Sequence, residues 1–219
     1  MGSMTVLTTP LSETKWKAID GRVRRVDEDR WLSSRYADRD KRRTLVTLYA
    51  FTYELARIRI VVTEPTLGAI RFQWWRDALT EIAEGKSPRQ HDVVAAIAEC
   101  VAGGVLSIDA LMRLLDGYEA AFTSGNRGDE PEARLAGTAA YILAPAHGWG
   151  KYLQEVAPAF AAARRSESKA FGPHVKTAPK AIRPAVAHFR LRQHYIKPKP
   201  LGGLLKRFSV MRAMMTGKV

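Results

Sequence analysis

The side chains of this chain that could do chemistry are few and loosely spaced. Its five histidines, His91, His147, His174, His188 and His194, show neither an HxxxH spacing nor the cysteine partner of a zinc site. His188 and His194, close to Phe189 and Tyr195, read instead as candidates for an interface. The single cysteine, Cys100, stands in the apolar run VVAAIAECVAGG and reads as a small buried hydrophobe, since one cysteine makes neither an internal disulfide nor a zinc site. No glycine-rich phosphate loop, GxSxG or Cys-His arrangement is found. What remains is the segment Tyr49 to Leu79, YAFTYELARIRIVVTEPTLGAIRFQWWRDAL, dense in arginine, glutamate and tryptophan. Arg57 and Arg59 are able to grip a phosphate, or to pair with Glu54, Glu64 or Asp77. Trp74 and Trp75 are candidates to line a cavity, but beside Ile70, Phe72, Leu79 and Ile82 they read first as packing residues.

The elements that must position these residues are helices. Apolar spacing of helical period runs near 14–36, 41–62, 67–84, 92–102, 107–123, 132–145, 148–165, 173–195 and 201–215, broken by Gly, Pro and Asn. No alternating strand pattern competes. Leu111, Leu114, Leu115, Tyr118 and Phe122 follow i, i+3, i+4, i+7, with Ser107 placed as a cap and Gly125-Asn126 as the stop; Asp92 is placed as a cap in the same way. The stretch Thr123 to Pro131 reads as a polar loop, and no internal repeat is present.

Composition bounds the class. With 219 residues, 46% hydrophobic and 26% charged, the chain is long enough for one sizeable core. The longest weakly polar stretch, near Leu135 to Ala146, is too short and too interrupted to span a bilayer, and no apolar signal core opens the chain. Met1-Gly2-Ser3 reads as a tag scar, and Val6 does not fit a myristoylation pattern. Lys and Arg outnumber Asp and Glu by 35 to 22, and no acidic residue follows Glu167 while Lys169, Lys176, Lys180, Arg183, Arg190, Arg192, Lys197, Lys199, Lys206, Arg207, Arg212 and Lys218 do. Such asymmetry favours a polyanionic partner: anionic lipid, an acidic protein face or nucleic acid. The plain alternative is a solvated basic tail.

From Val26 to Tyr195, and most strongly over Arg43 to Gly85, the chain resembles the squalene and phytoene synthase family: ELARIR, EP, a glycine and IRFQWWRDAL fall in that family's order. The resemblance implies an all-α, single-domain helical bundle of the isoprenoid-synthase type, shortened, over residues 26–195, with an N-terminal segment 1–25 and a basic amphipathic segment 196–219. In active relatives an aspartate cluster after the Tyr-Ala-Phe segment holds Mg²⁺ against a prenyl diphosphate. The register set by Tyr49, Ala50 and Phe51 puts Ala56, Arg57 and Ile60 at those positions. Aligning Arg164-Arg165 with the basic residues after the second acidic motif puts Pro158, Ala161 and Ala162 there, and Glu155 is the only carboxylate between Gly148 and Ser166. None of these six supplies an oxygen ligand for Mg²⁺. The resemblance is closer to a branch typified by the mitochondrial complex I assembly factor and its bacterial relatives, in which an ELAR-type segment replaces the aspartates. It implies a pseudoenzyme with no catalytic residue, no metal and no cofactor, whose former cleft is lined by Tyr49, Tyr53, Glu54, Arg71, Trp74 and Trp75.

The last segment has its own pattern. Leu204, Leu205, Phe208, Met211 and Met215 form one helical stripe, with Lys206, Arg207 and Arg212 largely off it. Lys206, Arg207, Phe208, Met211, Arg212 and Met215 are the expected contacts with a membrane or partner; the alternative is a last helix packed on the core. The expected role is therefore an accessory or assembly factor, peripheral to the inner face of the cytoplasmic membrane, with a protein client such as a respiratory-complex subunit. The alternatives are a prenyltransferase of the same family and a prenyl-lipid-binding module. Nucleic acid is the weakest partner class, because no binding motif accompanies the basic tail.

Overall fold

The computed structural model describes residues 10–167, 172–197 and 201–219. The tag-like residues 1–3, Val6, Lys169 and Lys199 lie outside them. The chain forms α1 (Glu13–Val26), α2 (Glu28–Ser34), α3 (Arg39–Val61), α4 (Pro65–Ala83), α5 (Asp92–Ala102), α6 (Ile108–Ser124), α7 (Glu132–Leu143), α8 (Gly150–Arg164), α9 (Arg183–Val186), α10 (Arg192–Tyr195) and α11 (Gly203–Thr216). Short 3-10 turns occupy Arg127–Asp129, Lys180–Ile182 and Ala187–Leu191. No strand forms among the described residues, and the single antiparallel bridge joins Thr177 to Lys218.

The contacts sort into two compact units. The first holds residues up to Val26 together with Val46–Glu130, the second Asp27–Leu45 together with Pro131–Val219, so that α3 contributes its first turns to the second and the rest to the first. In the first unit α4 packs along α6, and α5 meets both α1 and α4. Phe72, Leu79, Ile97, Leu111 and Leu115 are buried there. Gly68 of α4 allows the close approach of α6: a Cβ at that position would stand 2.2 Å from the Phe122 ring. Cys100 is buried, with Thr47 Oγ1 3.8 Å away. In the second unit α7 packs on α8, α2 on α9, and α11 on Ala187–Leu191. Arg183 fastens the end of α11 by donating to the carbonyls of Met214 (3.0 Å) and Met215 (2.9 Å).

Several helix boundaries differ from the sequence expectation, each for a local reason. The 14–36 helix is broken at Asp27, which caps α2 by accepting from the Arg30 amide at 3.5 Å. The 173–195 helix does not form as one piece. Pro179 and Pro184 remove backbone donors, and the segment folds as two short helices linked by 3-10 turns. Ser107 does take the N-cap position of α6, but its side chain makes no capping bond. Gly125 ends α6 with φ 72°, the left-handed conformation in which glycine carries no Cβ penalty. Asp92 is the first residue of α5 and not its cap; that position belongs to His91.

Candidate functional site

A cavity of about 280 Å³ lies wholly in the first unit. Glu54, Arg57, Ile58 and Val61 of α3 form one wall, Arg71, Trp74 and Trp75 of α4 another, and His91 closes it. The α3 residues recur at i, i+3, i+4 and i+7, so one helix face supplies them all. The two indoles and the imidazole form a mutual edge-on cluster, with centroids 5.1 Å (Trp74 to Trp75), 5.7 Å (Trp74 to His91) and 5.2 Å (Trp75 to His91) apart. The Arg89 guanidinium lies over Trp74 at 5.2 Å, donates to the Trp74 carbonyl and is held by Glu81 through two 2.8 Å bonds.

The charges around this cavity are unevenly matched. Arg22 of α1 donates to Asp92 at 2.6 Å and to Glu54 at 3.1 Å. Arg57 reaches Glu54 only at 3.8 Å and is half exposed. Arg71 makes no ion pair or hydrogen bond among the described residues. His91 Nδ1 is buried without a hydrogen-bond partner, 3.6 Å from Asp92 Oδ1. Arg22 and Asp92 were not legible as site residues, since they lie 32 and 38 positions from Glu54. Of the residues expected to line a cleft, Glu54, Arg71, Trp74 and Trp75 border this cavity. Tyr49 is instead buried in the core, and Tyr53 is half-buried outside the lining. Arg59 does not use Glu54, Glu64 or Asp77; it donates to the Ala121 carbonyl at 2.6 Å and stands 3.8 Å from Glu130.

The six motif positions present no ligand set. Ala56 and Ile60 fall on another face of α3, and Ile60 is 75% exposed. In the second unit Pro158 is exposed, Ala161 buried and Ala162 half-buried on α8. The residues present do not fit the Mg²⁺ that the resemblance implies. Their side chains offer no oxygen, and Glu54, one helical turn before Arg57, is committed to Arg22. Among the described residues no three His, Cys, Asp or Glu side chains converge as a metal site.

The second unit is laced with ion pairs that spacing did not reveal. Asp27 accepts from Arg30 at 2.6 Å and from Arg164 at 2.7 Å, and Arg30 also bonds Glu132. Burial alone would raise the Asp27 carboxyl, but the two guanidiniums outweigh it and hold it well below the ordinary range. His188 is not at an interface. It is buried between Phe160 and Phe189, its nitrogens lack hydrogen-bond partners among the described residues, and burial, reinforced by Arg30, pushes its pKa well below the ordinary value. His194 is half-buried, 3.3 Å from Ser209. Lys206, expected as a membrane contact, is engaged within the unit by Glu28 (3.0 Å) and Asp29 (2.9 Å). Arg207, Phe208, Met211, Arg212 and Met215 are exposed, together with Leu204 and Leu205.

A family model described as squalene/phytoene synthase matches residues 23–133, just over half of the chain. No curated protein and no solved structure matches. The matched span runs from the end of α1 to the start of α7 and contains the whole wall of the first-unit cavity, so the all-helical architecture is that of an isoprenoid-synthase fold and the chain belongs to the squalene/phytoene synthase family.

Proposed function

We propose that this chain is a family member without prenyltransferase activity, working as an accessory or assembly factor at a membrane surface. One observation carries the reading: at the two motif positions the side chains are Ala56, Arg57, Ile60, Pro158, Ala161 and Ala162. In the family's chemistry a departing diphosphate must be stabilised by metal-held positive charge, and losing one such electrostatic stabiliser commonly costs about 10²- to 10³-fold in rate. Loss of a whole carboxylate set leaves no useful turnover. The assembly role, with a respiratory-complex subunit as client, rests on the resemblance of the ELAR segment to the complex I assembly branch. The cytoplasmic, peripheral location rests on the basic C-terminal quarter; among the described residues no helix is long and apolar enough to cross a membrane. The test incubates purified protein with Mg²⁺ and farnesyl or geranylgeranyl diphosphate. No consumption is expected. Squalene or phytoene formation that disappears on substitution of Glu54 or Glu155 would overturn the reading and restore the prenyltransferase alternative. Affinity capture from a membrane fraction, with identification of proteins and extracted lipid, then separates an assembly factor from a prenyl-lipid carrier.

A further inference from the structure

We infer that the exposed face at the start of α4 is a contact between two copies of this chain, paired antiparallel about a two-fold axis beside Leu67. Leu67 and Ile70 are 50% and 59% exposed, and Trp74 is half-buried. Glu64 at the N-cap, Leu67, Ile70, Arg71 and Trp74 recur at i, i+3, i+6, i+7 and i+10, which keeps all five within an arc of about 120° around the helix axis. Val61, also exposed, ends α3 across the short link Val62 to Glu64. Aliphatic side chains left in water along one face mark an interaction surface. None of these residues is one of the six motif positions.

The charged ends of the stripe select the partner. Glu64 makes no side-chain capping bond, and neither it nor Arg71 makes an ion pair or hydrogen bond among the described residues. Glu64 and Arg71 stand two helical turns apart, about 10 Å along the axis, with the aliphatic side chains between them. Acid, aliphatic, base is a pattern that complements itself when reversed. A second α4 laid antiparallel brings its Arg71 to this Glu64 and its Glu64 to this Arg71, with Leu67 beside its own copy at the axis. Two-fold pairing repeats every contact, so each complementary pair counts twice. Other occupants fit less well. An anionic bilayer exerts no net pull on the first unit, whose residues up to Val26 and 46–130 hold thirteen Lys and Arg against fourteen Asp and Glu; the positive excess lies in the second unit. The exposed apolar stripe of α11 is flanked by Arg207 and Arg212, which repel Arg71. A contact of two or three helical turns per copy falls at the small end of specific interfaces, so the dimer is weak and reversible.

Sedimentation velocity of the purified chain at low salt, from about 1 μM to about 0.5 mM, covers the range in which a small interface of this kind associates. A concentration-dependent monomer–dimer equilibrium is expected. Leu67→Asp with Ile70→Asp leaves a monomer at every concentration, while Leu204→Asp with Phe208→Asp on α11 leaves the dimer intact. Glu64→Arg and Arg71→Glu each weaken association at least about tenfold, because each sets two like-charged pairs face to face. Their equimolar mixture recovers it, since a mixed dimer regains two pairs of opposite charge. Every substituted position is exposed, so unchanged melting temperatures confirm folding, and the mixture reports on pairing even where one variant is less stable. A monomer throughout the range, association unchanged in the Leu67 and Ile70 pair or lost in the α11 pair, or a mixture no tighter than its components overturns the inference. Neither prenyl diphosphate nor client enters the measurement, so its outcome is independent of the turnover assay and of the reading of the chain as non-catalytic.

Discussion

At the scale of single residues the second unit concentrates its electrostatic stress on His188. Buried between two phenyl rings, with Arg30 and Arg164 repelling its protonated form and Asp27 only partly compensating, it stays neutral in the folded chain below its ordinary value of 6.5. The unfolded chain takes up the proton as the pH falls through that value and the folded chain does not. Stability is therefore lost on acidification below about pH 6.5, at a rate approaching about 1.4 kcal/mol per pH unit for one such group. Asp27 adds a separate loss at lower pH, because its depressed carboxyl stabilises the fold above the unfolded value of 3.8 and that contribution disappears as it is protonated. Between pH 7 and 5, His188→Leu should lose distinctly less stability than the native chain in denaturant titrations. Identical slopes for the two over that interval would show that His188 accepts its proton inside the fold.

At the scale of elements the helix pair α4–α6 depends on a missing side chain. With the Gly68 Cβ position 2.2 Å from the Phe122 ring, which itself meets Phe72 at a 56° tilt with centroids 5.6 Å apart, Gly68→Ala must displace an aromatic wedge. Overpacking of this kind costs roughly 1–3 kcal/mol, so the variant should melt several degrees lower; an unchanged or higher melting temperature would mean that Phe122 swings aside freely. Such close approaches are invisible in apolar periodicity, whereas the helices themselves are not. The ranges of α3 to α8 were legible to within two or three residues, since Pro65 and Gly125 punctuate a clear pattern. The break at Asp27 was not, because it is set by a cap and by two arginines, one of them Arg164 far along the chain. The run after Pro173 kept its apolar content but lost its helix to proline. Of the cavity, Glu54, Arg57, Arg71, Trp74 and Trp75 were singled out from their motif, while Ile58, Val61 and His91 enter only through tertiary packing. The adjacent tryptophans also differ in a way their spacing could not tell: Trp75 is buried on Phe51 at 5.3 Å, and Trp74 is half exposed at the cavity.

At the scale of the whole molecule the formal net charge of +13 and the lack of any acid after Glu167 meet an apolar stripe on α11 that the second unit leaves uncovered. Leu204, Phe208, Met211 and Met215 recur at i, i+4, i+7 and i+11, with Leu204 81% and Phe208 57% exposed, while Val210 and Ala213 face the core. Arg207 and Arg212 flank the stripe and are exposed, whereas Lys206 is spent on Glu28 and Asp29. Each basic residue near an anionic bilayer contributes about 1 kcal/mol at most, and shallow insertion of the apolar side chains adds to it, so binding should be peripheral and reversible. The protein is expected to sediment with phosphatidylglycerol-containing vesicles at low salt and to be released near about 0.5 M salt, where screening falls to a few ångströms. Deleting residues 201–219 is a poor probe, since it removes buried Val210, Ala213 and Val219 and the carbonyls that Arg183 and Tyr152 bond. The pair Leu204→Asp and Phe208→Asp changes only exposed positions and should abolish sedimentation without lowering the melting temperature; Arg207→Glu with Arg212→Glu should shift release to lower salt. Equal sedimentation with neutral vesicles, or full binding by the aspartate pair, would refute the membrane contact and leave the stripe to a protein partner.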